Sequence, residues 1–194
     1  MKSDVCKLEK NMSDFQRIPS EAEKVAVYNH LDERQARRLR LLSEELIGML
    51  PELLEFGRGE FWIENNGKMF ELHVAVAPNN VIDIDDDKIL SVSSTGKNAA
   101  TKGILNKIRV AAQIMLMSYE ETSSEYPCEF YDMGMATSMR HYTSAWSLTN
   151  YKEQATGHKE EWDELEKSVI ANLADDVIVG ITGKKVEIVV VKNF

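Results

Sequence analysis

Residues 61–76 read Phe61-Trp62-Ile63-Glu64-Asn65-Asn66-Gly67-Lys68-Met69-Phe70-Glu71-Leu72-His73-Val74-Ala75-Val76. Two runs rich in aromatic and β-branched residues flank Asn-Gly, the strongest short-range hairpin signal a sequence offers. The stretch predicts strands over 61–64 and 69–76, antiparallel and joined by a tight turn. A second hairpin is expected from Val177 to Val191, with Gly183-Lys184 at its turn. Residues 79–88 alternate as a short strand running into an acidic turn, and 145–151 read as a further strand.

Helix-period segments separate these strands. Ser20-Glu21-Ala22-Glu23 has the spacing of a capping box, which predicts a helix from Ser20 to about His30-Leu31. Asp32 is placed to cap a longer helix ending near Phe56, with Gly57 and Gly59 closing it and Pro51 kinking or breaking it. At 100° per residue, Leu39, Leu42, Leu46, Leu50 and Leu53 form one stripe that must face a sheet. Further helices are expected over 104–120 and 159–174. Hairpins set between helices, without strict strand–helix alternation, give an α+β fold. The expected architecture is a two-layer α/β sandwich, its sheet mixed but mainly antiparallel, with helices on one face.

The chain has 194 residues, 43% of them hydrophobic and 28% charged, a composition that supports a buried core without crosslinks. One domain is expected over 20–194, with 121–158 as an insertion or lid. The polar residues 1–19 read as a loosely held arm. A net charge of −9 disfavours nucleic acid and anionic membrane as partners. Arg34, Arg37, Arg38 and Arg40 are spread around their helix and form no stripe. No apolar run reaches the ~20 residues of a membrane helix, and the first residues lack the apolar stretch of a signal peptide. The 2 cysteines, Cys6 and Cys128, give no disulfide framework. These features imply a cytoplasmic protein.

Several residue groups carry chemical potential. Glu45 sits about a quarter-turn off the leucine stripe, beside Met49 and Phe56, whereas Glu44 lies opposite the stripe in solvent. A carboxylate at the shoulder of a buried face is partly desolvated and suited to proton abstraction; the alternative is an edge residue paired with Arg38 or another neighbouring cation. Ser94-Thr95-Gly96-Lys97-Asn98 lacks the first glycine of a P-loop, since Ser91 stands there, and has Asn98 where Ser or Thr would bind Mg²⁺. Small residues, Lys97, Lys102 and a helix start near Gly103 still suit an anion, or equally a surface loop. Asp83, Asp85, Asp86 and Asp87 fail as a calcium loop, with Lys88 at its sixth position and Ser94 at its twelfth. A solvated acidic turn and a metal-assisted site both remain open there. His30, His73, His141 and His158 show no ligand spacing among themselves or with the cysteines, so no zinc site is expected.

The order of a Glu-bearing helix (Leu41 to Ile47), a hairpin (61–76), an Asp-containing strand, a small-residue loop, a helix from Lys102-Gly103-Ile104-Leu105 and a terminal hairpin resembles the histidine-kinase-like ATPase superfamily. That group includes sensor kinases, anti-sigma-factor serine kinases and gyrase. The resemblance covers roughly residues 20–194 and implies an ATP-binding regulatory domain with Mg²⁺. It implies Glu45 as the catalytic residue. Asp83 or Asp85 would read adenine, and Gly96, Lys97, Asn98, Lys102 and Gly103 would close over the phosphates. The family places an Asn four residues after the Glu to help hold Mg²⁺; Met49 stands there. Its Asp-x-Gly-x-Gly box has no glycine match after Asp83 or Asp85. These departures imply weak or lost ATP hydrolysis. The alternative is a module that kept the fold, lost the nucleotide and binds a regulatory protein partner or a second copy of itself.

Overall fold

The computed structural model of the chain describes residues 1–9, 15, 17–53, 56–78, 108–109, 111–112, 115–116, 145–155, 169–182 and 185–194. Strands β1 (Cys6–Glu9), β2 (Phe56–Asn66), β3 (Met69–Pro78), β4 (Ala145–Ser147), β5 (Asp176–Thr182) and β6 (Lys185–Asn193) form one six-stranded sheet in the order β1-β2-β3-β6-β5-β4. Every described pair is antiparallel. Helices α1 (Arg17–Tyr28), α2 (Glu33–Leu53), α3 (Leu148–Ala155) and α4 (Val169–Leu173) accompany it. The expected α+β sandwich is therefore the fold.

Alternation along the strands decides the layers. Phe61, Ile63, Phe70, Leu72, Val74, Val76, Val179 and Ile188 lie on one face and are buried in one cluster with Leu39, Leu42, Leu46 and Leu50. Those four leucines are fully buried, so this part of the stripe predicted for α2 does face the sheet, while the side chain of the fifth, Leu53, lies outside what is described. Ile18, Ala22, Val25, Leu148 and Ile170 bring α1, α3 and α4 into the same core. Within 104–120, the described residues Ile108, Arg109, Ala111, Ala112, Met115 and Leu116 are helical, and Ile108 and Ala112 join that core.

Local chemistry sets the element ends. The Asp32 carboxylate accepts from the backbone N–H of Arg34 (2.8 Å) and Gln35 (2.9 Å), while the Gln35 side chain accepts from Asp32 N–H (3.0 Å). That reciprocal box caps α2 as expected. The box expected at Ser20 is not formed: α1 begins at Arg17, which puts Ser20 inside the helix. Pro19 then falls in the first turn, where its missing N–H has no helical partner to lose. At its other end α1 closes in a Schellman motif, with His30 at φ 55°, Leu31 N–H donating to Ala26 (3.0 Å) and His30 N–H to Val27 (3.1 Å).

Pro51 does not end α2, which runs to Leu53. Gly57 and Gly59 do not close it either; both belong to β2. The β2–β3 register shifts between Phe56 and Arg58, so Gly57 occupies an irregularity. A Cβ on Gly59 would stand 2.8 Å from Val76 Cγ1 and 3.1 Å from the Ala75 carbonyl oxygen, which explains the glycine. The predicted first turn is present, with Gly67 at φ 63° and the Asn66–Met69 pair closing it.

Two further expectations change. Residues 1–9, read as part of a loose arm, are paired: β1 lies against Arg58–Phe61, and Lys2 bridges to Glu64. Leu8 explains the pairing, since it is fully buried in the core. The strand expected over 145–151 stops at Ser147, whose hydroxyl accepts from Asn150 N–H (3.2 Å), and α3 starts there; Asp176 also accepts from Thr149 N–H (3.0 Å). Of the helix expected over 159–174, the described part is α4, and the strand expected over 79–88 lies outside the described residues.

Candidate functional site

The sequence-predicted residues fall in two groups. Glu45 lies on α2, half-buried, and no hydrogen bond or ion pair engages it among the described residues. Its alternative partner Arg38 is therefore not paired with it, and Glu44 is exposed and bonded to Arg40 Nε at 2.8 Å. Met49, one turn after Glu45, is 7% exposed and belongs to the core. Asp83, Asp85, Gly96, Lys97, Asn98, Lys102 and Gly103 lie outside the described residues.

A second constellation, unforeseen as a group, occupies the opposite face of the sheet. Register places Trp62 across from His73, and Glu64 across from Glu71, on β2 and β3. Glu187 on β6 pairs with Ala75 and so lies diagonally beside His73 on the same face. Trp62 and His73 stack with ring centroids 4.8 Å apart and planes 8° from parallel. The Lys2 ammonium sits 4.2 Å from the Trp62 ring centre and 3.2 Å from Glu64 Oε1. The indole Nε1–H donates to Glu64 Oε1 at 2.8 Å. These side chains border a hollow of about 850 Å³.

His73 is the centre of this group. Its Nδ1 is 2.8 Å from Glu187 Oε1, and its Nε2 is 3.6 Å from Glu71 Oε2. The second separation exceeds hydrogen-bond length, so Nε2 is buried without a hydrogen-bond partner. Burial disfavours the charged ring, but the Glu187 hydrogen bond, the close Glu71 carboxylate and the charges of Glu187 and Glu64 outweigh it. The ring is pushed up to about 8. At neutral pH it is therefore an imidazolium among carboxylates.

Glu64 titrates below the ordinary glutamate range: burial opposes this, but the bonds from Trp62 and Lys2 and the charge of His73 prevail. Two carboxylates directly opposite across a strand pair repel each other; His73 and Lys2 supply the compensating charge. Glu64, Glu71 and His73 each bring a ligand atom within 4.8 Å of the others.

Sequence reasoning weighed His73 only against other histidines and cysteines. The usable signal was period two: Glu71 and His73 share a strand face, and the Asn-Gly turn sets Glu64 beside them. Cys6 has no such role, because burial, then the Glu21 charge, push its thiol up and leave it a poor nucleophile. No helix among the described residues is long and apolar enough to cross a membrane. No protein-family profile, no curated protein and no solved structure matches this chain.

Proposed function

We propose that this chain is a cytoplasmic regulatory module built on the histidine-kinase-like ATPase plan, acting by contact with a protein partner and having lost nucleotide binding and with it phosphoryl transfer. The order of elements supports the kinship: a Glu-bearing helix is followed by a hairpin and a terminal hairpin that share one antiparallel sheet. The observation that carries the loss of activity is Met49. The resembled family places a magnesium-holding amide there, whereas this chain buries a thioether among core leucines. Magnesium takes hard oxygen ligands, so Met49 does not fit it.

A second reading keeps the nucleotide. It is favoured by the half-burial of Glu45, which leaves a carboxylate free of described partners on the same side of α2 as Met49. Glu45 would then act as the base, with the 83–103 segment around the nucleotide. Calorimetric titration of the full chain with Mg-ATP separates the two. The first reading expects no heat at millimolar nucleotide. Saturable heat, abolished by removing magnesium, with hydrolysis lost but binding kept in Glu45→Gln, would establish the second.

A further inference from the structure

We propose that Glu64, Glu71 and His73 form a binding site for a divalent transition-metal ion of the zinc class, on the sheet face opposite the helices. The donor set consists of one imidazole nitrogen and two carboxylates. Imidazole selects zinc and its first-row neighbours over magnesium and calcium, which prefer oxygen alone. The ligands come from two adjacent strands held in fixed register, so the backbone already positions them.

Two features point to a ligand. First, His73 is only 9% exposed, yet its Nε2 has no hydrogen-bond partner and meets the Glu71 carboxylate at 3.6 Å. Second, the outer contacts of the ligands are in place. Glu187 engages Nδ1 at 2.8 Å and directs the Nε2 lone pair away from β6 once that nitrogen is deprotonated. The Trp62 indole holds Glu64 Oε1 at 2.8 Å and leaves the other oxygen for an ion. A carboxylate behind a ligating histidine fixes its ring and raises its basicity.

The geometry requires modest closure. Ligand atoms at about 2.0–2.2 Å from a tetrahedral zinc ion stand roughly 3.3–3.6 Å from each other. The three candidate atoms lie within 4.8 Å, so the widest pair closes by about 1 Å through rotamer adjustment of the two glutamates. Three protein ligands leave a fourth position, which opens to the adjoining hollow and would take water or an anionic ligand. Lys2 acts against the ion through its charge, 3.2 Å from Glu64.

This site is on the other side of the sheet from Glu45 and Met49, and neither proposal depends on the other. The test is calorimetric titration of the chelator-free full chain with Zn²⁺ at pH 7.5, with Co²⁺ as a spectroscopic probe. One equivalent is expected to bind saturably. Co²⁺ is expected to give visible bands from a mixed nitrogen and oxygen site. Glu71→Gln and His73→Gln are each expected to weaken Zn²⁺ by at least ~10-fold, and Glu187→Gln by about 10-fold through loss of ring orientation. Glu71→Gln, on a half-buried edge of the site, decides the matter if His73→Gln does not fold. Absence of saturable Zn²⁺ binding by the folded chain would overturn the proposal. Unchanged affinity in folded Glu71→Gln, or equal competition by Mg²⁺, would do the same.

Discussion

The indole of Trp62 and the imidazole of His73 lie face to face across β2 and β3, 4.8 Å between centroids and 8° from parallel. The stacked pair covers one flank of a charged ring whose nitrogens face Glu187 and Glu71, with Glu64 and Lys2 close by. A pH effect follows. The folded-state value of His73, about 8, lies above its ordinary 6.5, so its stabilising contribution is complete below about pH 6.5 and is lost as pH rises through about 8. The full effect is on the order of 2 kcal/mol. Urea unfolding at pH 6 and pH 9 is expected to show a large penalty for His73→Gln at the lower pH and a small one at the higher. Equal penalties at both would refute the assignment.

Gly59 supports the approach of β1, β2 and β3. Because its Cβ would meet Val76 at 2.8 Å and the Ala75 carbonyl at 3.1 Å, Gly59→Ala is expected to destabilise the protein by about 1–3 kcal/mol. Gly48, whose Cβ would meet nothing within 4 Å, provides the contrast. Gly48→Ala is expected to stabilise by about 0.5–1 kcal/mol, since alanine is the better helix former. Denaturant midpoints that moved in the same direction for both variants would contradict this reading.

His30 holds a left-handed conformation at the end of α1 that glycine adopts without strain. His30→Gly is expected to raise stability by up to about 1 kcal/mol, the relief of strain exceeding the added freedom of the unfolded chain. A lowered melting temperature would show that the histidine side chain contributes more than its backbone costs.

Met49→Asn, which restores the residue type of the resembled ATPases, is expected to lose about 2–4 kcal/mol because an amide replaces a buried thioether without a partner in the core. No gain of Mg-ATP binding should accompany it. Calorimetry and thermal melting of the same preparation check both halves, and restored binding would favour the nucleotide-bearing reading.

The sheet and its helical cover were legible because each rests on a local period. The Asn-Gly turn joins two runs of strand formers, and the α2 leucines recur at helical spacing; both patterns survive in the folded chain. What misled was capping and edge chemistry. Ser20 and Glu23 have the right spacing for a helix start, but the apolar residue Ile18 is buried, which draws the first turn back to Arg17. Leu148–Tyr151 reads as a continuation of the strand until the Ser147 hydroxyl is seen to accept from Asn150 N–H at the start of α3. The His73 group was illegible for a different reason. Glu187 meets His73 across 114 positions of sequence, a separation no motif spacing encodes.

The placement of β6 between β3 and β5 has a consequence for biosynthesis. A ribosome delivers the first hairpin long before residues 185–193, so the nascent β3 presents an unpaired flank while more than half the chain is still being made. Such a flank is a template for mispairing with other chains. Closure depends on contacts between distant positions, which are slow to form. Chaperone capture of the growing polypeptide is expected to end only when the last strand slots in, and shortening the chain by that strand should leave it insoluble.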